Sequence, residues 1–186
     1  ATIQIVVVPV LAKGAAEIVT AEAKNLYNEL KGSGLRVHLD DRDVRPGVKY
    51  YDWELKGVPL RRELGPKDIE KGVVTFARRD NGEKTLIERE RVTDEARETL
   101  ARIAADMLER AQKTMDADTV AVDSLENLPE KFIRAGWCGD EDCGHSIENR
   151  TDRNIIGTPV DDEGFDGACV VCGKPTRTSV YIARAM

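Results

Sequence analysis

The chain has 186 residues, 41% of them hydrophobic and 33% charged, which excludes a disordered polymer and leaves room for one good core, or one domain plus a small appendage. No apolar run approaches the about 20 residues that cross a membrane, and residues 3–10, IQIVVVPV, are too short and too β-branched for a signal peptide, with no basic stretch before them. The formal net charge of −6 argues against indiscriminate nucleic-acid binding, yet residues 36–91 carry 14 Lys/Arg against 12 Asp/Glu while residues 116–163 carry 4 against 13, so a partner with phosphates would approach the first stretch and avoid the second.

The chain opens on Ala1 and enters a strand almost at once, which reads as a piece cut from a longer protein. The apolar run 3–10 predicts a strand buried on both faces. After a Lys13-Gly14 turn, Ala15 to Lys31 has helical spacing through Ile18, Ala21, Leu26 and Leu30, and Gly32 and Gly34 stop it. Leu35, Val37 and Leu39 alternate as a second strand, so the opening is a βαβ unit with a parallel pair. Pro46-Gly47 leads into a short helix over 48–56, and a third strand starts at Val58. One helical turn follows over 67–70. Residues 73–79 and 83–87 form a hairpin about Asp80-Asn81-Gly82. A long helix from Thr93 to about Met115 closes this part. The predicted fold class is α/β: a mixed five-stranded sheet flanked by helices over residues 1–115, a connector with a short helix over 116–134, and a small α+β domain over 135–186.

Residues 40–68, DDRDVRPGVKYYDWELKGVPLRRELGPKD, interleave carboxylates with Arg, Lys, Tyr and Trp. Fixed-geometry Arg forks, carboxylates and flat rings together suit the edges and faces of nucleobases. A salt-bridged turn–helix–strand unit is the plain structural alternative. Tyr50, Trp53 and Glu54 fall at i, i+3, i+4 and share a helix face. His38 reads as a sheet-edge side chain, and Asp40-Asp41 as ion-pair partners.

All four cysteines lie near the end, as Cys138-x4-Cys143 and Cys169-x2-Cys172. Each close pair offers two thiolates from a tight knuckle, and four thiolates make a closed tetrahedral zinc site, structural because no position is left for water. A loop-rich domain so poor in apolar residues would draw folding energy from the metal. Two disulfides would need an export signal that is not seen. A redox CxxC would need a helix N-terminus where Gly173-Lys174-Pro175 stands. His145 reads as polar surface. The chain has no phosphate-binding glycine loop, no HExxH and no GxSxG, and no nucleophile–base pair stands out. A binding module is the better reading.

Residues 36–84, RVHLDDRDVRPGVKYYDWELKGVPLRRELGPKD through RRDNGEK, resemble the anticodon-binding domain of the archaeal and eukaryotic-like prolyl-tRNA synthetases. The resemblance runs on through the long helix into that family's zinc-binding domain, with Trp137-Cys138-Gly139 and Cys169-Val170-Val171-Cys172-Gly173. It implies the class IIa anticodon-binding fold and recognition of the tRNA(Pro) anticodon loop. Proline codons begin CC, so two anticodon guanines are shared and the wobble base varies. By resemblance Glu54, Arg61 and Asp68 read base edges, Lys84 assists from the hairpin, and a base stacks on Tyr50. Arg42, Arg45 and Lys49 are candidates for phosphate contacts only. Cys138, Cys143, Cys169 and Cys172 hold a structural zinc. The parent protein is implied to be a cytoplasmic proline–tRNA ligase, homodimeric through its catalytic domain. ATP and magnesium serve that catalytic domain, which this chain does not include, so the fragment alone is expected to be inactive. No membrane is implied. The alternative is a zinc-containing interaction module that kept the fold and lost tRNA binding. The family's C-terminus often ends in an aromatic residue tucked toward the catalytic domain, whereas this chain ends Tyr181-Ile182-Ala183-Arg184-Ala185-Met186.

Overall fold

The computed structural model describes residues 1–12, 14–160 and 165–184. Lys13 of the Lys13-Gly14 turn and the Met186 terminus lie outside the described residues. The chain divides into two compact units, Ala1–Glu109 and Arg110–Met186.

The first unit runs β1 (Ile5–Pro9), α1 (Ala16–Gly32), β2 (Val37–Leu39), α2 (Pro46–Leu55), β3 (Leu60–Leu64), α3 (Pro66–Glu70), β4 (Val73–Arg78) and β5 (Lys84–Glu88). The strands form one five-stranded sheet in the order β2-β1-β3-β4-β5. β1 pairs in parallel with β2 and β3, whereas β3–β4 and β4–β5 are antiparallel. The sheet is mixed, as the pattern predicts. α2 starts two residues earlier than expected because Pro46, lacking an N–H, is suited to the first turn. The long helix α4 (Val92–Asp118) continues past the boundary between the units.

Alternation along β1 places the core on both faces of the sheet. Ile5 and Val7 join Leu26 and Leu30 of α1, Phe76, and Val92 and Ala96 of α4. Val6 and Val8 pack instead with Trp53, Val58 and Tyr50 on the α2 side. Trp53 is thus a core residue and not a free ring. Register then decides where charge lies: Val6 pairs with Arg61 and Val8 with Glu63, so Arg61 and Glu63 share the α2 face. Arg62 faces the other way and is fully buried, its guanidinium 3.1 Å over the Phe76 ring and Nη2 donating to the Val92 carbonyl at 3.2 Å.

The second unit holds β6 (Thr119–Val122), β7 (Phe132–Gly136), α5 (Glu141–Thr151), β8 (Asn154–Gly157), β9 (Gly167–Ala168), β10 (Pro175–Thr176) and β11 (Ser179–Ala183). β6-β7-β11-β8 make a four-stranded sheet and β9-β10 a short ribbon, over a small core of Leu125, Ile133, Ala135, Ile147, Val180 and Ile182. It is an α+β unit with a four-cysteine cluster. The short helix expected within 116–134 is absent from the described residues. The end of α4 and β6 stand there, because Val120 and Val122 pair in parallel with Ile133 and Ala135, a long-range partner that local spacing does not reveal.

Candidate functional site

Arg61 on β3, Ala77 on β4 and Lys84 on β5 lie in one cross-strand row. The small Ala77 side chain leaves space above it for the two longer ones. α2 borders this row and presents Tyr50 and Glu54, one helical turn apart. The result is a compact cluster. Arg61 Nη1 donates to Glu54 Oε1 at 2.7 Å, and its Nε donates to Glu63 Oε1 at 3.1 Å. The guanidinium carbon lies 4.1 Å from the centre of the Tyr50 ring, within cation–π range. Lys84 Nζ is 2.9 Å from both Glu63 oxygens and 5.7 Å from the same ring.

The cluster has a covered floor and an open rim. The Arg61 and Glu63 side chains are 12% exposed, while Glu54 and Lys84 are 50% and 51% exposed. Burial, and after it the charge and hydrogen bonding of Glu63, push the Tyr50 phenol up to about 12. The ring is therefore neutral at physiological pH. Asp68 stands at the start of α3, where Oδ2 accepts the Gly65 N–H at 2.8 Å; its negative charge also bears on Tyr50. Of the five residues singled out from the sequence, Tyr50, Glu54, Arg61 and Lys84 form one contact network, and Asp68 borders it with one oxygen engaged in the helix start. Sequence reading missed Glu63. The available signal was its i+2 spacing from Arg61, which puts both on one strand face.

The neighbouring charges serve a different purpose. Asp40 is buried, with Arg42 Nε and Nη2 bound to its two oxygens at 2.9 and 2.7 Å and the Trp53 indole N–H donating to Oδ2 at 2.7 Å. Burial alone would raise this carboxyl, but the donors from Arg42 and Trp53 outweigh it and hold it at about 2. Lys49, considered for phosphate, is instead 1% exposed, and its ammonium donates to the Asp40 carbonyl at 3.0 Å. Its helix position turns it inward to satisfy a buried acceptor. Arg42 is held by Asp40 and Asp52. Arg45 is exposed. His38, on the edge strand, packs its ring 4.7 Å from Trp53.

In the second unit the Sγ atoms of Cys138, Cys143, Cys169 and Cys172 all lie within 4.8 Å of one another. Cys138 and Cys172 are 3.7 Å apart, close to the about 3.8 Å edge of a tetrahedron with 2.3 Å metal–sulfur bonds. All four are free thiols. The donor set and its spacing fit a metal ion. The second pair forms the expected knuckle: Gly173 N–H donates to the Cys169 carbonyl at 2.9 Å, and Cys169 N–H to Lys174 at 2.8 Å. Gly173 takes φ +71° to close it. Burial would raise the Cys169 thiol, yet the backbone N–H groups of Cys172, Val171 and Cys138 hold it below its ordinary value, whereas burial and the neighbouring thiols push Cys143 up, so of these two Cys169 is the readier to become a thiolate. The first pair is not a knuckle. Cys138 precedes α5 and Cys143 lies in its first turn, which Asp140 starts by accepting the Asp142 N–H at 2.9 Å. At Gly136 a Cβ would collide with the Ala168 carbonyl oxygen, so only glycine lets β7 run against the cysteine turn.

Comparison with known proteins locates both units. Residues 4–99 match the family model described as anticodon binding domain, and residues 121–186 the one described as prolyl-tRNA synthetase, C-terminal. The chain is 39% identical to the proline–tRNA ligase of Thermococcus kodakarensis over 99% of its own length and 40% of the relative's. For the enzyme of Pyrococcus horikoshii the identity is 40% over the same shares, and for that of Methanothermobacter thermautotrophicus 39% over 96% and 38%. The chain therefore spans about 40% of the length of the curated relatives it matches. No helix among the described residues is long and apolar enough to cross a membrane.

Proposed function

The chain belongs to the anticodon binding domain family and carries a prolyl-tRNA synthetase C-terminal domain, and on that premise we propose that it reads the two guanines shared by tRNA(Pro) anticodons for a proline–tRNA ligase. The Glu54–Arg61 pair carries this reading. Along its Watson–Crick edge guanine presents the donors N2–H and N1–H beside the acceptor O6, and single-stranded bases are read on that edge. A carboxylate contiguous with a guanidinium, 2.7 Å apart and stacked on a neutral ring, offers the complementary acceptor beside a donor. Adenine presents the reverse order at those atoms and would be refused. Lys84 and Asp68 are the groups available for the second guanine, and Tyr50 supports the layer on which a base lies. Arg45 remains for the phosphate backbone.

The four thiolates hold a structural zinc, and the donor set leaves no vacant position for catalysis. Proline activation with ATP and magnesium, a catalytic partner domain, dimerisation and a cytoplasmic setting belong to the whole ligase and are proposed here by membership of its family.

Binding of the chain to a proline anticodon stem-loop at fixed salt tests the reading, since phosphate contacts alone make affinity depend on ionic strength. Guanine-to-adenine changes, and separately Glu54→Ala and Arg61→Ala, should each weaken binding about tenfold or more, as expected for lost hydrogen bonds to charged groups. Equal affinity for guanine and adenine loops by a folded wild-type chain would sink this reading and favour a protein-interaction module.

A further inference from the structure

Glu63 differs from the other charges of the cluster. Its side chain is 12% exposed, as covered as that of Arg61, and it is the one carboxylate that holds two of the site's cations. Arg61 Nε donates to it at 3.1 Å, and Lys84 Nζ lies 2.9 Å from both of its oxygens. These contacts join Arg61 and Glu63, two residues apart on one face of β3, to Lys84 of β5, across the intervening β4. Tyr50 of α2 completes the set around it. Its oxygens are already occupied by two cations, so it has little left to offer a base edge.

We propose that Glu63 is a positioning residue: it clamps Arg61 by Nε and Lys84 by Nζ, and so holds the donors in register for guanine before RNA arrives. The proposal rests on the anticodon-reading function above. Its physical basis is preorganisation. With Nε fixed to Glu63 and Nη1 to Glu54, the guanidinium plane has both ends pinned over the Tyr50 ring. Nη2 and the second hydrogen of Nη1 remain for the ligand. Without Glu63 two cations would share a small space with no common counter-ion, and Arg61 would turn or lean on Glu54 alone, engaging the carboxylate that should meet guanine. Loss of the clamp therefore costs base discrimination more than it costs contact with the backbone, because a carboxylate is not itself a phosphate-binding group.

The test compares wild type, Glu63→Gln and Glu63→Asp in the full chain with guanine and adenine forms of the stem-loop. Glu63→Gln keeps the shape and removes the charge. It should reduce the guanine-to-adenine affinity ratio about tenfold, the usual worth of a hydrogen bond to a charged group, while the salt dependence of binding stays unchanged. In a background with both Arg61→Ala and Lys84→Ala the same change should have little further effect, since the action passes through those two cations. Two readouts do not need RNA. Ultraviolet titration should show the Tyr50 phenol ionising at lower pH in Glu63→Gln, and the Arg61 Nε–H resonance should lose its protection from solvent exchange. Glu63→Asp keeps the charge and should leave the phenol closer to wild type. A folded Glu63→Gln chain with an unaltered guanine preference and a protected Arg61 Nε–H overturns the proposal alone. A wild-type chain indifferent to guanine overturns the function on which it rests.

Discussion

At the scale of single residues, the site works by giving ordinary charges unusual surroundings. Tyr50 is half-buried against Val6, Val8 and Trp53, and carries the Arg61 guanidinium at 4.1 Å. Its ring matters more than its hydroxyl. Tyr50→Phe is expected to bind the stem-loop nearly as well as wild type, whereas Tyr50→Ala should lose about 1–3 kcal/mol, the range for a stacking platform; isothermal titration of both variants separates the two. Arg61 and Arg62 show how much one step of the chain decides. Arg61 turns to the α2 face and joins the cluster, while Arg62 turns to the core, where Nε and Nη1 have no hydrogen-bond partner among the described residues. Composition does not separate the two; in the sequence only the family resemblance singled out Arg61. Glu63 was equally legible as a charge and equally illegible as a clamp.

At the scale of elements, α2 is held to the sheet by a buried polar anchor. Asp40, just after β2, binds Arg42, the Trp53 indole and, through its carbonyl, the Lys49 ammonium. The carboxyl sits at about 2 when folded against 3.8 as its ordinary value. A lowered folded value means that the unfolded chain binds the proton first. The stabilisation is therefore complete above about pH 4 and is lost as pH falls from there through about 2. Asp40→Asn should lower stability by about 2 kcal/mol at neutral pH, from broken charge-assisted bonds, and should flatten that acid limb. Urea unfolding at a series of pH values checks both; an unchanged acid limb would show that other carboxylates govern it. α5 teaches the opposite lesson about legibility. Its sequence EDCGHSIENRT buries only Cys143, Gly144 and Ile147, too few to print a helical period. The Asp140 start with Glu141 and Asp142 behind it was the one local sign.

At the scale of the whole molecule, charge and metal divide the work between the two units. Ala1–Glu109 holds 19 Lys/Arg against 20 Asp/Glu, and Arg110–Met186 holds 9 against 14. The nearly balanced unit carries the cluster with Arg61 and Lys84, and the acidic one carries the thiols. Among the described residues the second unit's core has six buried members, so with the proposed zinc bound metal ligation would supply a large part of its folding energy. Removing the metal with a strong chelator, or Cys169→Ser, should unfold residues 110–186 while the five-stranded sheet of the first unit persists. Amide exchange read by NMR distinguishes the units, and metal analysis should find one zinc per chain before chelation. Retention of all amide protection in the metal-free protein would mean that the small core suffices.

What the sequence by itself determined is local in origin. The β1 run, the α1 and α4 periods and the 73–88 hairpin were legible because alternation and helical spacing are written over a few adjacent residues. The cysteine spacing suggested a metal site through its two local pairs, but it was the fold that brought Cys138 to 3.7 Å from Cys172, 34 residues along the chain. Only the tertiary structure decided which charges face one another. The pairing of β3 with β1 and β4 set Arg61 and Glu63 beside Lys84 and turned Arg62 away, and the packing of α2 turned Lys49 inward to the Asp40 carbonyl. Charges carry no period and satisfy whichever partner the fold brings within reach. Their roles therefore follow from long-range register and burial, which no stretch of sequence states on its own.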